Sequence, residues 1–350
     1  MKTLLILLFS SNVFAAGPSK PPSKEAPKPV SKAVASAEGL ARVKAAMADY
    51  AKGDYQKVID RLNPYSEELG NYGLLLLGNA YSKKLLYSDE VRVMHVLYGN
   101  NEESYEAQML LAQALEKQST ITQNAETKVK LQKEAVTNYR NITKIRAKYK
   151  PAFDSMLALL IQMNAASEAR DTIAEGIQLW GKRPELMKEL CRLDSTDGYV
   201  AQALQSCREA IKLAPEFPDS YVYLSQSFFD QKENTDAEQA LVGAARRFPA
   251  SEFVQWSAGT VFMKKKNYPV AVRYYGQALK ADPISSRSTF GYAQSLFESG
   301  KEKEALDYYR KACHMDPATV VEPFFAASAK LRLKNSPMSQ TYKEAAAGCH

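Results

Sequence analysis

Four prolines, Pro215, Pro249, Pro283 and Pro317, follow one another at a spacing of 34 residues. Five residues before each stands an alanine (Ala210, Ala244, Ala278, Ala312), and twelve before each stands another (Ala203, Ala237, Ala271, Ala305). Twenty-four before them lie Cys191, Ser225, Gly259 and Ala293, all small. A fixed period of this length means stacked supersecondary units, each unable to bury its apolar face alone. Within a period the apolar residues recur at helical spacing, as in Ala203-Leu204-Cys207-Ala210-Ile211. Turn residues interrupt that spacing midway, at Gly198, Asn234, Asn267 and Gly300. Each period therefore predicts two antiparallel helices, with small residues where backbones approach and larger ones such as Leu224, Leu241, Tyr275 and Tyr309 beside them. The proline closes the second helix, because it lacks an N–H and disfavours helical geometry in the residue before it.

These columns resemble the tetratricopeptide repeat family, most regularly over 184–317. The resemblance implies an all-α fold, a right-handed α-solenoid of stacked helix-turn-helix units whose first helices line an inner groove. Upstream the pattern frays. Residues 150–183 keep Ala169 and Gly176, but Leu157 and Gly181 stand where a small residue and the proline are expected. Ala135 and Tyr139 fit a second helix whose partner, Ala107 to Leu115, lies some 11 residues too far away; an insertion or unusually long helices would account for the gap. Gly78 and Tyr81, and Gly53-Asp54-Tyr55, read as halves of two further degenerate units. The expected organisation is degenerate units over 39–149, a regular array over 150–319 and closing helices over 320–350.

The start of the chain reads as an address. Met1-Lys2 is followed by the apolar run Leu4 to Phe9, and Val13-Phe14-Ala15 fits a small–x–small cleavage pattern. The run is too short to cross about 30 Å of hydrocarbon as a helix, so 1–15 is expected to be a signal peptide cleaved near Ala15. The mature protein would be exported, periplasmic or secreted. Residues 16–38, rich in Pro and Lys, hold almost no large apolar side chain and are expected to form an extended tether, with weak contact to cell wall or anionic lipid as a secondary possibility.

With 46 Lys+Arg against 39 Asp+Glu among 350 residues, the formal charge is +7. Lys20, Lys24, Lys28 and Lys32 carry much of it, a poor footprint for nucleic-acid binding. Three His and four Cys are widely spread, and neither HExxH nor CxxC occurs, so no metal site or cofactor is expected. Lys264-Lys265-Lys266 reads as a solvated run at the end of a helix. No nucleophile–base pairing stands out, and the repeats leave little room for a catalytic domain; the chain is read as non-enzymatic.

By the family's pattern, groove positions lie 30, 27, 23 and 20 residues before each closing proline. They are Asp219, Val222, Gln226 and Phe229; then Phe253, Trp256, Thr260 and Met263; then Arg287, Phe290, Gln294 and Phe297. The preceding unit differs, with Glu185, Lys188, Arg192 and Ser195. The Lys and Asn places of the family's carboxylate clamp carry Val222, Trp256, Phe290 and Gln226, Thr260, Gln294, so that client class is not expected. Aromatic anchors with amides beside them suit an extended or helical peptide. The competing reading is a narrow groove, or one into which the C-terminal helix folds, where these rings are core. Cys191 and Cys207 fall on the two helices of one hairpin, either as a disulfide or as two buried thiols, and Cys313 and Cys349 meet if the closing helices pack on the last unit. The expected function is an exported scaffold or adaptor for a protein or peptide partner in envelope assembly, secretion or surface machinery, similar to the periplasmic repeat proteins of diderm bacteria. The alternative is a cell-wall-associated structural spacer that uses its basic linker and self-association.

Overall fold

The computed structural model describes residues 37–349. The expected signal peptide and all but the end of the Pro/Lys-rich segment lie outside the described residues. Within them are eighteen α-helices and no strand. The chain forms two compact units, one reaching Leu179 and one beginning at Trp180.

The first unit contains α1 (Ala37–Ala51), α2 (Tyr55–Leu62), α3 (Asn71–Lys83), α4 (Tyr87–Gly99), α5 (Tyr105–Ile121), α6 (Ala125–Ile145), α7 (Lys150–Gln162) and α8 (Ala166–Trp180). Helices α1 and α2, α3 and α4, and α5 and α6 pair as hairpins, and each hairpin packs on the next helix in the chain. The spacing anomaly upstream of Lys150 comes from helix length: α5 has 17 residues and α6 has 21, joined by only three. Ser104 and Asn124 cap them, each side chain accepting from the backbone N–H three residues on. Gly78 is small for a visible reason, since the Met94 side chain fills the place its Cβ would take.

The second unit contains α9 (Pro184–Thr196), α10 (Val200–Leu213), α11 (Pro218–Asp230), α12 (Asn234–Arg247), α13 (Glu252–Lys264), α14 (Tyr268–Ala281), α15 (Ser286–Glu298), α16 (Glu302–Met315), α17 (Pro317–Leu333) and α18 (Met338–Ala347). They form five hairpins, and from α9 to α15 each first helix also packs on the next first helix. Ala203, Ala237, Ala271 and Ala305 are wholly buried, and the column five residues before the prolines is at most 2% exposed. The small residues therefore sit at the helix contacts. Gly259 and Gly291 flank the Tyr275 ring: a Cβ on Gly259 would meet it at 2.8 Å, and one on Gly291 closer still. The residues before the prolines, Ala214, Phe248, Asp282 and Asp316, leave helical geometry with φ between −121° and −150°.

The turns inside the hairpins differ from expectation in one respect. Gly198 and Gly300 adopt positive φ, but between them the left-handed residues are Lys232 and Lys266, not Asn234 and Asn267. Asn234 opens α12, and Asn267 immediately precedes α14. The column is thus 198, 232, 266, 300, again with period 34, and Asn164 in the first unit continues it. At each, the following N–H reaches back to a carbonyl five residues earlier: Tyr199 to Asp194, Glu233 to Phe228, Asn267 to Phe262 and Lys301 to Leu296, at 2.9–3.0 Å. This closure satisfies helix-end carbonyls and fixes the turn.

Candidate functional site

The face formed by α9, α11, α13 and α15 carries the expected groove positions, and burial divides them. Gln226 is exposed, and its Nε2 donates to Asp230 Oδ1 at 2.9 Å. Phe229, Phe253, Trp256, Thr260, Met263, Phe290 and Gln294 are half-buried. Two expectations are corrected. Val222 is 8% exposed and belongs to a core with Leu241, Val254 and Ala258. Phe297 is 5% exposed because the closing hairpin covers it: Tyr342 lies 5.7 Å away between ring centroids, and Lys330 lies over the ring at 6.0 Å. Thr260 is also committed internally. Its hydroxyl donates to Trp256 O at 3.0 Å and meets the Tyr275 hydroxyl at 3.1 Å.

The structure concentrates the face on an aromatic platform. Tyr223 and Phe253 lie 5.8 Å apart, and Phe253 stacks near-parallel to Trp256 at 6.3 Å. The Arg287 guanidinium sits over both Phe253 and Trp256, 5.1 and 4.8 Å from their centroids. A cation over these faces is attracted by the ring quadrupole. Glu252 sets its position: the carboxylate pairs with Nε and Nη2 of Arg287 and accepts from Ser285 Oγ and Ser288 Oγ. Burial alone would raise the Glu252 carboxyl, but the bonds from Arg287 and the two serines hold it below its ordinary range. The hydrogen bond to Glu252 in turn raises the Arg287 guanidinium.

Beside the platform stands Asp219, whose carboxyl is pushed up by partial burial against the opposing influence of Lys188 and Arg287. Burial likewise raises the Tyr223 phenol. On α9, Glu189 takes both cations of its neighbourhood, Lys188 at 3.5 Å and Arg192 at 2.9 Å. The arrangement is a ring surface rimmed by paired charges. It provides apolar contact area and orienting hydrogen bonds; among the described residues no group of His, Cys, Asp and Glu is placed to hold a metal. Sequence reasoning missed Tyr223 and Glu252. A signal existed for the second: Glu252 and Arg287 stand at the starts of successive first helices, one period and one residue apart.

Cys191 and Cys207 are joined by a disulfide between α9 and α10, and a second joins Cys313 on α16 to Cys349. Lys264, Lys265 and Lys266 are exposed, and Lys265 pairs with Glu238.

Residues 197–252 and 257–318 match the tetratricopeptide repeat family. That segment is built of tetratricopeptide repeats, and the α-solenoid of stacked helix-turn-helix units is the fold of the chain. Among solved structures, yeast Tom70 is similar at 16% identity and a TM-score of 0.52, over 82% of this chain and 61% of Tom70. This chain thus spans about three fifths of that protein's length, and the likeness is one of fold. MamA from Desulfovibrio magneticus RS-1 matches at 13% identity and a TM-score of 0.39, over 47% of this chain and 94% of its own. YrrB, described as a TPR protein with an unusual peptide-binding site, matches at 13% identity and a TM-score of 0.40, over 56% of this chain and 95% of its own. No curated protein matches.

Proposed function

We propose that the protein is a non-enzymatic scaffold that holds a peptide or protein segment along the first helices of its second unit, with Phe253 and Trp256 as anchors. One observation carries the reading: a half-buried aromatic pair stands on a stacked-helix face with a guanidinium fixed above it by two hydrogen bonds to Glu252, whose carboxylate is itself held by Ser285 and Ser288. Large rings left partly open to water on a rigid support are what interface anchors require, since little side-chain entropy remains to be lost on binding. Gln226 and Arg287 can meet the backbone of a bound segment.

The proposed setting is outside the cytoplasm, in envelope assembly, secretion or surface machinery. The Met1–Ala16 pattern supports export, and two cystines in one chain suit an oxidising compartment. The test is photocrosslinking from position 256 in living cells, followed by pull-down with Trp256→Ala and with a deletion of 20–37. A partner lost with Trp256→Ala and kept by the deletion supports the scaffold. Loss of cell-wall association in the deletion alone, with no partner at position 256, supports the structural spacer instead.

A further inference from the structure

The helices that open each hairpin stack on one another within the chain, as α1 does on α3 and as α9, α11 and α13 do on their successors. Two of them also carry an apolar face that no described residue covers. On α1, Leu40, Ala41, Lys44, Met47, Ala48 and Ala51 are all exposed and fall within about 120° of one side at 3.6 residues per turn. On α17, the last helix of this kind, Ala318, Glu322, Phe325, Ala326, Ala329 and Leu333 are all exposed within about 100°. Leu40 keeps 59% of its surface open and Leu333 keeps 82%. The outer face of α18 is instead polar, with Gln340, Lys343 and Glu344. Contiguous apolar area of the first kind marks an interaction surface. Each of the two faces holds a single charge, at its centre: Lys44 on α1 and Glu322 on α17. Neither has a hydrogen-bond or ion-pair partner among the described residues.

We propose that the protein associates head to tail with itself, α17 of one copy stacking on α1 of a second copy as first helices stack within the chain. Charge identifies the occupant. The lone lysine of one face answers the lone glutamate of the other, whereas either face laid on its own like would bring two equal charges together. Shape agrees with charge. When Lys44 is set level with Glu322 in a parallel pair, Phe325 comes against Ala48 and Met47 against Ala326, a large side chain on an alanine each time. The parallel sense is the one the chain already uses, since each first helix is separated from the next by one antiparallel partner. The contact is heterologous: a copy engaged through α17 still offers its own α1, so assembly grows by addition unless a ring closes. A single helix pair is a small interface, so the association is weak and depends on concentration. The inference stands whether or not the aromatic platform of α11 and α13 binds anything, and it would set how many platforms one assembly displays.

The experiment is sedimentation velocity of the purified full chain between about 1 and about 200 µM, alongside Lys44→Glu, Glu322→Lys and an equimolar mixture of the two variants. Both side chains are exposed, so each variant should keep the circular dichroism of the wild type. The wild type is expected to sediment faster as its concentration rises, and each variant alone to associate at least about tenfold more weakly. Association should return in the mixture, where every α1 again meets an α17 of opposite charge. A wild type that stays monomeric throughout the range would overturn the proposal, as would a mixture that associates no better than its components. Association that survives either single substitution would place the contact elsewhere, for instance between two copies of α17, and overturn it too.

Discussion

At Tyr275, one side chain explains two absent ones. Its ring occupies the space that a Cβ would need at both Gly259 and Gly291. Gly291→Ala forces the ring or the α15 backbone to move, at a cost of about 1–3 kcal/mol, measured as a lower midpoint in denaturant unfolding. Tyr275→Phe keeps the shape and loses the bond to Thr260, at about 1 kcal/mol. The sequence marked position 259 as small, but could not say why glycine stands there where Ala293 suffices one repeat later, because the reason is a ring from another helix. The Glu252 carboxylate supplies a pH prediction. Its folded-state pKa is depressed, so the stability it adds is present above its unfolded pKa and lost as pH falls through the folded value. Glu252→Gln should cost about 2 kcal/mol near neutrality and flatten the fall in Tm as the pH drops below the ordinary carboxylate range. Asp219 has the opposite sign. Its raised pKa favours folding at low pH and loses that contribution as pH rises, so Asp219→Asn should raise Tm at neutral pH.

Among elements, the hairpin turn is the most regular device in the second unit. Gly300→Ala places a Cβ at φ +81° and should destabilise by about 1 kcal/mol or more. Lys232→Gly relieves the same conformation and should gain about 0.5–1 kcal/mol, read as a higher Tm. Asparagine favours turns, which draws attention to Asn234 and Asn267; lysine carries no such signal, and only the period identifies positions 232 and 266. The groove positions show where element-level reading stops. Val222 and Phe297 have the right offset along their helices, yet Leu241 with Val254 closes over one and Tyr342 over the other. An offset gives the face of a helix, while the neighbour decides whether that face meets water. The α9–α10 bond is an element-scale staple, and Cys191→Ser with Cys207→Ser should cost about 3 kcal/mol.

For the whole molecule, the alanine columns made the second unit legible as stacked hairpins, because each column answers one recurring helix contact. The first unit was less legible because its hairpins vary in length: α2 has 8 residues and α6 has 21, so no single period spans them. Each unit has its own buried core, with Tyr139, Ile142 and Phe153 in the first and Tyr309, Phe324 and Tyr342 in the second. Residues 180–350 expressed alone should therefore give a helical, cooperatively unfolding protein by circular dichroism.

The left-handed column also bears on how such a chain changes length. Lys232 and Lys266 occupy equivalent backbone corners, so excising 233–266 joins α11 to α14 through a corner both already share. The shortened chain would lose Trp256 and its platform while its remaining hairpins close as before. Additions and losses in whole periods then alter how many side chains the array displays, leaving every surviving joint with the geometry it had.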